Sequence, residues 1–265
     1  MLRLLLLPPV LRGFIALAAG GISFPLAGVL TLRLNLLPLR YMLMHAVILA
    51  GTLALALSLP ELPVFILVSV IAVLALLSLG RKGRNDLGVS ASFLMILSIA
   101  LAAVIAAKAD VPSKDTLDLL WGSPYTITKP ELIFLLSFSA LLIAFIALCF
   151  PKLALLFFDR DTAQVTDRRV GVYEALAVTA AALSIVLAMR FTGALLTDAL
   201  LILPVVAAMK RAGSLKGLFI WSSLIGFVSS TAGYLLSLCL DLPPSAAVSV
   251  VSVVIYLILP RRRKK

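Results

Sequence analysis

Charge is scarce in this sequence. Its 23 basic and 12 acidic side chains make up 13 % of 265 residues, where a soluble domain carries about 25 %. That shortage excludes a water-soluble single core. Histidine occurs once, at His45, which excludes an HExxH site and any cage of several histidines. The two cysteines, Cys149 and Cys239, share no CxxC or metal-type spacing. They read as small apolar fillers and say nothing about redox compartment. Gly80-Arg81-Lys82-Gly83 lacks the spacing and the hydroxyl residue of a GxxxxGK[ST] phosphate loop. Any energy source must therefore lie elsewhere, in an ion gradient or a separate ATPase.

What the chain has in abundance is apolar surface: 62 % of its residues are hydrophobic and the mean hydropathy is +1.16. A membrane-spanning helix needs roughly 20 such residues. Apolar stretches fall at 10–32, 41–59, 63–79, 90–107, 132–149, 172–189, 193–209, 215–240 and 246–259. The seventh is short and holds Pro204, which marks a broken or re-entrant helix. The expected fold is all-α, a single polytopic transmembrane bundle of eight or nine spans. No repeat, linker or composition shift divides it.

The opening Met1-Leu2-Arg3-Leu4-Leu5-Leu6-Leu7 resembles a signal-peptide core, but Pro8, Pro9 and Arg12 interrupt it and the apolar pattern runs on. It reads as an interfacial lead-in. Orientation follows from Lys and Arg in alternate loops. One set comprises Arg33, Arg40, Arg81, Lys82, Arg84, Lys152, Arg160, Arg168, Arg169, Lys210, Arg211, Lys216 and the five residues 261–265. The other holds only Arg3, Arg12, Lys108, Lys114, Lys129 and Arg190. The larger set belongs in the cytoplasm, with the C-terminus, and nine crossings place the N-terminus outside. Basic residues set between apolar stretches are a topology signal, so no nucleic acid is implied. The basic tail suits anionic lipid heads of the bilayer.

Few polar groups lie inside the apolar stretches. His45 follows Tyr41 by four residues and Met42 by three, spacings that place them on one helical face. His45 is either a satisfied histidine bonded to a neighbouring helix or a pathway ligand, since imidazole is a good donor to divalent metals. Asp198 lies near the middle of the seventh stretch, with no Lys or Arg on its own helical face. A carboxylate at bilayer depth costs roughly 2.5–3.5 kcal/mol, and such residues face a cavity or a partner. Arg190 reads as a membrane-edge anchor. Gly20-Gly21, Gly28, Gly226 and Gly233 permit close helix approach, and Trp121, Tyr125, Trp221, Tyr234 and Tyr256 read as interface or packing aromatics. Two connections, 109–131 and 150–171, are longer than a bare link needs.

Five pieces, in order along nearly the whole chain, carry a family resemblance. They are Met44-His45-Ala46-Val47, Leu120-Trp121-Gly122, and Phe158-Asp159 with Asp161 and Ala163. The fourth is Phe191-Thr192-Gly193-Ala194-Leu195-Leu196 with Ala199-Leu200-Leu201-Ile202-Leu203-Pro204, and the fifth is Leu240-Asp241-Leu242-Pro243-Pro244-Ser245-Ala246. Together they resemble zinc/manganese-type permeases of ATP-binding-cassette importers, whose architecture is that of type II importers. The resemblance implies a homodimer forming the path in the plasma (inner) membrane of a prokaryote. It also implies an ATPase dimer docked inside and an extracytoplasmic metal-binding protein that delivers the cargo. ATP would be used by the partner subunit, the cargo would be a divalent metal, no cofactor would be bound permanently, and this chain would be no enzyme. The coupling residues implied are Asp159, Asp161, Ala163 and Gln164.

This chain departs from the family pattern at four places. Tyr41 stands where the family has an Asp four residues before its His, and Arg40 where it has a Gly. Asp198 replaces a small or hydroxyl residue, and Asp167 replaces a Gly after the coupling motif. The resulting expectation is that Asp198 supplies the missing carboxylate and works with His45 as a weak, transient metal site, with Tyr41 and Met42 beside them. Two other transport readings stand next to it. One is the same architecture carrying a chelate such as haem or cobalamin. The other is a gradient-driven carrier, although the paired charges of two pseudo-symmetric halves are missing.

Overall fold

The structure is a computed structural model, and it describes residues 7–80, 87–111, 123–159, 162, 163, 165 and 169–260. The lead-in 1–6, the piece 120–122, Asp161, Gln164, Asp167 and the tail 261–265 lie outside the described residues. Nine α-helices are described: α1 Pro8–Arg33, α2 Leu37–Leu57, α3 Glu61–Gly80, α4 Leu87–Lys108, α5 Lys129–Phe158, α6 Val170–Leu201, α7 Leu203–Met209, α8 Leu215–Leu240 and α9 Pro244–Ile258. A 3₁₀ turn at Pro124–Thr126 precedes α5. Six helical segments are long and apolar enough to cross a membrane, and the segments Glu61–Leu76, Leu196–Met209 and Pro244–Ile258 are shorter apolar helices.

Two boundaries differ from the sequence expectation. α5 does not end near Cys149 but continues through Pro151 to Phe158. The apolar pattern carries it on: Leu153 and Leu156 are buried beyond the proline, so packing offsets the hydrogen bond that Pro151 cannot donate. The expected loop 150–171 is correspondingly shorter and starts at Asp159. The sixth and seventh stretches form one long helix, α6, bent at Gly193, where φ is 77°. The chain then breaks at Ile202, and Pro204 sits in the first turn of α7, where a missing N–H is no loss.

α6 is the centre of the bundle. One buried cluster joins it to α2, α3 and α4 through Met42, Leu43, Phe65 and Ile185. A second joins it to α1, α5, α7 and α8 through Leu30, Leu142, Ala181 and Phe219. A third adds α9 through Val248, with Phe24, Phe191 and Tyr234. Around these, α3, α4 and α5 present large apolar side chains outward, among them Leu67, Leu74, Val89, Ile96, Ile133 and Leu148. That is the surface a bilayer covers.

Small residues decide how closely α1 approaches its neighbours. A methyl on Gly226 of α8 would collide with the Gly21 carbonyl and the Pro25 ring of α1. Pro25 cannot donate to the Gly21 carbonyl one turn earlier, and next to it Ser223 Oγ donates to Ile22 O at 2.7 Å. Arg190, expected to be a membrane-edge anchor, is instead a tie between helices. Its Nη2 donates to Glu131 Oε1 at 2.9 Å and lies 2.9 Å from Glu61 Oε2. Both glutamates stand in first turns, where the helix dipole favours negative charge. The aromatics Tyr125, Phe14 and Tyr234 pack together at the α1–α8 contact, and Tyr234 Oη donates to Val10 O at 2.7 Å.

Candidate functional site

A tight connection leads from α1 into α2, which packs on α3, α4 and α6. Asn35 takes up the left-handed conformation (φ 54°), and the Leu36 N–H donates to Thr31 O at 2.8 Å. Pro38 lies in the first turn of α2, so Arg40 is already one turn into a buried helix. On the other side, Asp198 lies between two irregularities of the backbone, the bend at Gly193 and the break at Ile202. Thr197 Oγ1 donates to Gly193 O at 2.7 Å, satisfying a carbonyl at the bend.

These two elements bring Arg40 and Asp198 together. Arg40 Nη1 donates to Asp198 Oδ1 in an ion pair between α2 and α6. The partners differ in environment: the arginine side chain is 5 % exposed and the aspartate side chain 45 %. Arg40 emerges between Leu39 and Met42 of the first cluster, its Cζ lies 4.4 Å from the centre of the Tyr41 ring, and its buried Nε has no hydrogen-bond partner. A carboxylate with an open side is thus held by a buried guanidinium. Removing either member alone leaves an uncompensated charge.

The other residues of α2 separate by face. Tyr41 is half exposed and lines a cleft of about 520 Å³ with Leu37, Pro38, Gly88, Ala91, Ser92 and Met95. Met42 is fully buried in the first cluster, so it faces the core and not the cleft. His45 Nδ1 lies 2.8 Å from Tyr41 O. A carbonyl only accepts, so Nδ1 carries the hydrogen, and in the neutral ring Nε2 keeps its lone pair. No hydrogen bond joins His45 to Asp198. Among the described residues, no group of three or more His, Cys, Asp or Glu is placed to hold a metal ion. One imidazole and one carboxylate cannot by themselves fill the shell of a transition metal.

Arg40 is the residue that sequence reasoning missed, because it was counted among the loop charges. The signal lay in Asp198 itself. A carboxylate in an apolar helix with no basic residue on its own face needs a partner from another helix, and Arg40 borders the stretch holding His45.

At the end of α5, Asp159 organises a turn. Thr162 Oγ1 donates to Asp159 Oδ2 at 2.5 Å, and the Ala163 N–H donates to Asp159 O at 3.0 Å. Ala163 is fully buried against Leu156 and Val170, so its role is to seat the segment. Among the described residues of this segment, Phe158 and Val165 are apolar side chains left outside, each 90 % exposed.

Comparison with known proteins agrees with this architecture. The manganese import system permease protein ScaB of Streptococcus parasanguinis is 26 % identical over 185 residues, covering 68 % of this chain and 65 % of that protein. The match therefore spans just under two-thirds of that relative's length. An uncharacterized membrane protein of Cyanophora paradoxa is 26 % identical over 251 residues, 92 % of this chain and 83 % of its own. Among solved structures, PsaBC from Streptococcus pneumoniae in complex with Fab superposes with a TM-score of 0.83 at 20 % identity, covering 96 % of this chain and 92 % of that one, a likeness of fold. The ABC 3 transport family model matches residues 10–261, from α1 to beyond α9, and this multi-pass membrane chain belongs to that family.

Proposed function

We propose that this chain is the membrane subunit of an ATP-driven importer for a divalent transition-metal ion, of the manganese or zinc class. In this reading it sits in the plasma (inner) membrane of a prokaryote with its C-terminus inside. Relatives named manganese import permeases support the cargo class, and a sequence with no GxxxxGK[ST] loop fits an ATPase on a separate chain.

The observation that carries the reading is the exposure of Asp198. Its side chain is 45 % open among the apolar residues Leu196, Ala199 and Leu200, and hydrocarbon cannot cover a carboxylate at low cost. The open side therefore faces a polar path, which a second copy of the chain would close. Asp198 and the Nε2 of His45 would be the transient ligands, with Tyr41 at the adjoining cleft. Two copies would double the donors, supplying what a single chain lacks. Such weak, mixed oxygen and nitrogen ligation lets an ion leave again.

The ATPase dimer would dock on the turn at Asp159, with Phe158 and Val165 as its apolar anchors and Ala163 as the buried seat. Asp161 and Gln164 complete that expected surface. An extracytoplasmic metal-binding protein would deliver cargo at the opposite face. The test is co-purification of the chain with an ATPase, then ATP hydrolysis in liposomes with Mn²⁺ or Zn²⁺. Metal-stimulated hydrolysis that is lost in D198N supports the reading. A D198N variant that imports metal at the parent rate rules out Asp198 as a path ligand.

A further inference from the structure

Arg40 is placed where a bound cation would be. Its guanidinium occupies one side of Asp198, and the other side of the same carboxylate is open. The arginine is not free to leave for water, because its stem is buried and its side chain is only 5 % exposed. The Tyr41 ring already lies 4.4 Å from its Cζ, so the guanidinium has an aromatic face to slide along when it leaves the carboxylate. Its Nε makes no hydrogen bond, so the guanidinium is only partly used where it stands. A side chain with one strong anchor and an aromatic face beside it can be displaced over a short distance without passing through hydrocarbon.

We infer that Arg40 is a resident competitor cation, which occupies Asp198 when the path is empty and must be displaced toward Tyr41 by the arriving metal ion. This rests on the reading that the path carries a divalent cation. The consequence is selectivity. A monovalent ion brings no more charge to Asp198 than the guanidinium it would replace, whereas a divalent ion brings twice as much at the same distance. The tethered arginine therefore screens out Na⁺ and K⁺ and keeps divalent binding weak enough for release. An apolar or small residue at this position would leave Asp198 open to any cation.

The test measures Mn²⁺ binding to the purified chain in nanodiscs by electron paramagnetic resonance, in the parent, R40A, R40K and R40A/D198N. Binding is read without an ATPase, so failure of ATP-driven uptake would count against the proposed function and leave this comparison standing. R40A is expected to bind Mn²⁺ at least tenfold more tightly than the parent, and Na⁺ is expected to compete in R40A only. R40A/D198N should lose the gain. Millimolar methylguanidinium should restore weak Mn²⁺ binding in R40A and leave the parent unchanged, which a purely structural ion pair would not produce. If R40A does not fold, R40K decides: its compact ammonium lacks the planar fork, so Mn²⁺ binding tighter than in the parent supports the inference. Equal Mn²⁺ affinity in the parent and the folded Arg40 variant, no Mn²⁺ binding in any of them, or a gain that survives D198N, overturns it.

Discussion

Gly28 of α1 lies directly against the carbonyl of Leu201, the last residue of α6. This contact seats the α6–α7 break on α1, three residues beyond Asp198. A methyl here has nowhere to go, because the obstacle is backbone. G28A is expected to cost about 1–3 kcal/mol, read as a lower midpoint in detergent-induced unfolding. Gly171, whose added Cβ would meet nothing within 4 Å, is the control. G171A should change stability by less than about 0.5 kcal/mol.

Arg190 holds two carboxylates with one guanidinium, and all three side chains are largely enclosed. R190M leaves Glu61 and Glu131 facing each other without a counter-charge and should destabilise the fold by about 3 kcal/mol. The triple variant R190M/E61Q/E131Q removes the charges together and should recover most of that loss. Unfolding midpoints of the two variants in the same detergent check this. Equal midpoints would mean that the glutamates find other partners.

Met42 and His45 are three residues apart, yet Met42 is fully buried in the core and His45 is only half-buried. M42L fills nearly the same buried volume and should leave metal uptake at the parent rate. H45A removes the Nε2 lone pair and should lower uptake by roughly tenfold, the effect of about 1.4 kcal/mol. Initial manganese uptake rates in cells expressing each variant distinguish the two positions.

The turn at Asp159 makes a different kind of prediction, about a partner. F158S/V165S should weaken binding of the purified ATPase roughly tenfold without changing the thermal stability of the isolated chain, because both side chains are exposed. A163L acts in reverse. It overfills the site between Leu156 and Val170, so it should disturb the segment itself at a cost of about 1–3 kcal/mol.

The sequence made the fold legible because its signal is long. Apolar stretches near 20 residues mark helices without help from tertiary structure, and the break expected at Pro204 appears next to it, at Ile202. Helix ends were less legible, because they depend on burial further along the chain. The fifth stretch reads as ending at Cys149 until Leu153 and Leu156 are seen packed beyond it. Site pairs were the hardest to read. Arg40 and Asp198 are 158 positions apart, and nothing local to either one names the other. Helical spacing alone also placed Met42 with Tyr41 and His45, but core packing turns Met42 inward.

The central claim is that this bundle is a passive path driven by a separate ATPase. Its most direct test is uptake of radioactive manganese into proteoliposomes that hold the chain together with the proposed ATPase, fed by a metal-loaded binding protein. Uphill accumulation that requires ATP hydrolysis, and that stops in D198N, is the predicted result. Uphill accumulation by the chain alone, driven by a proton or sodium gradient, would contradict the account.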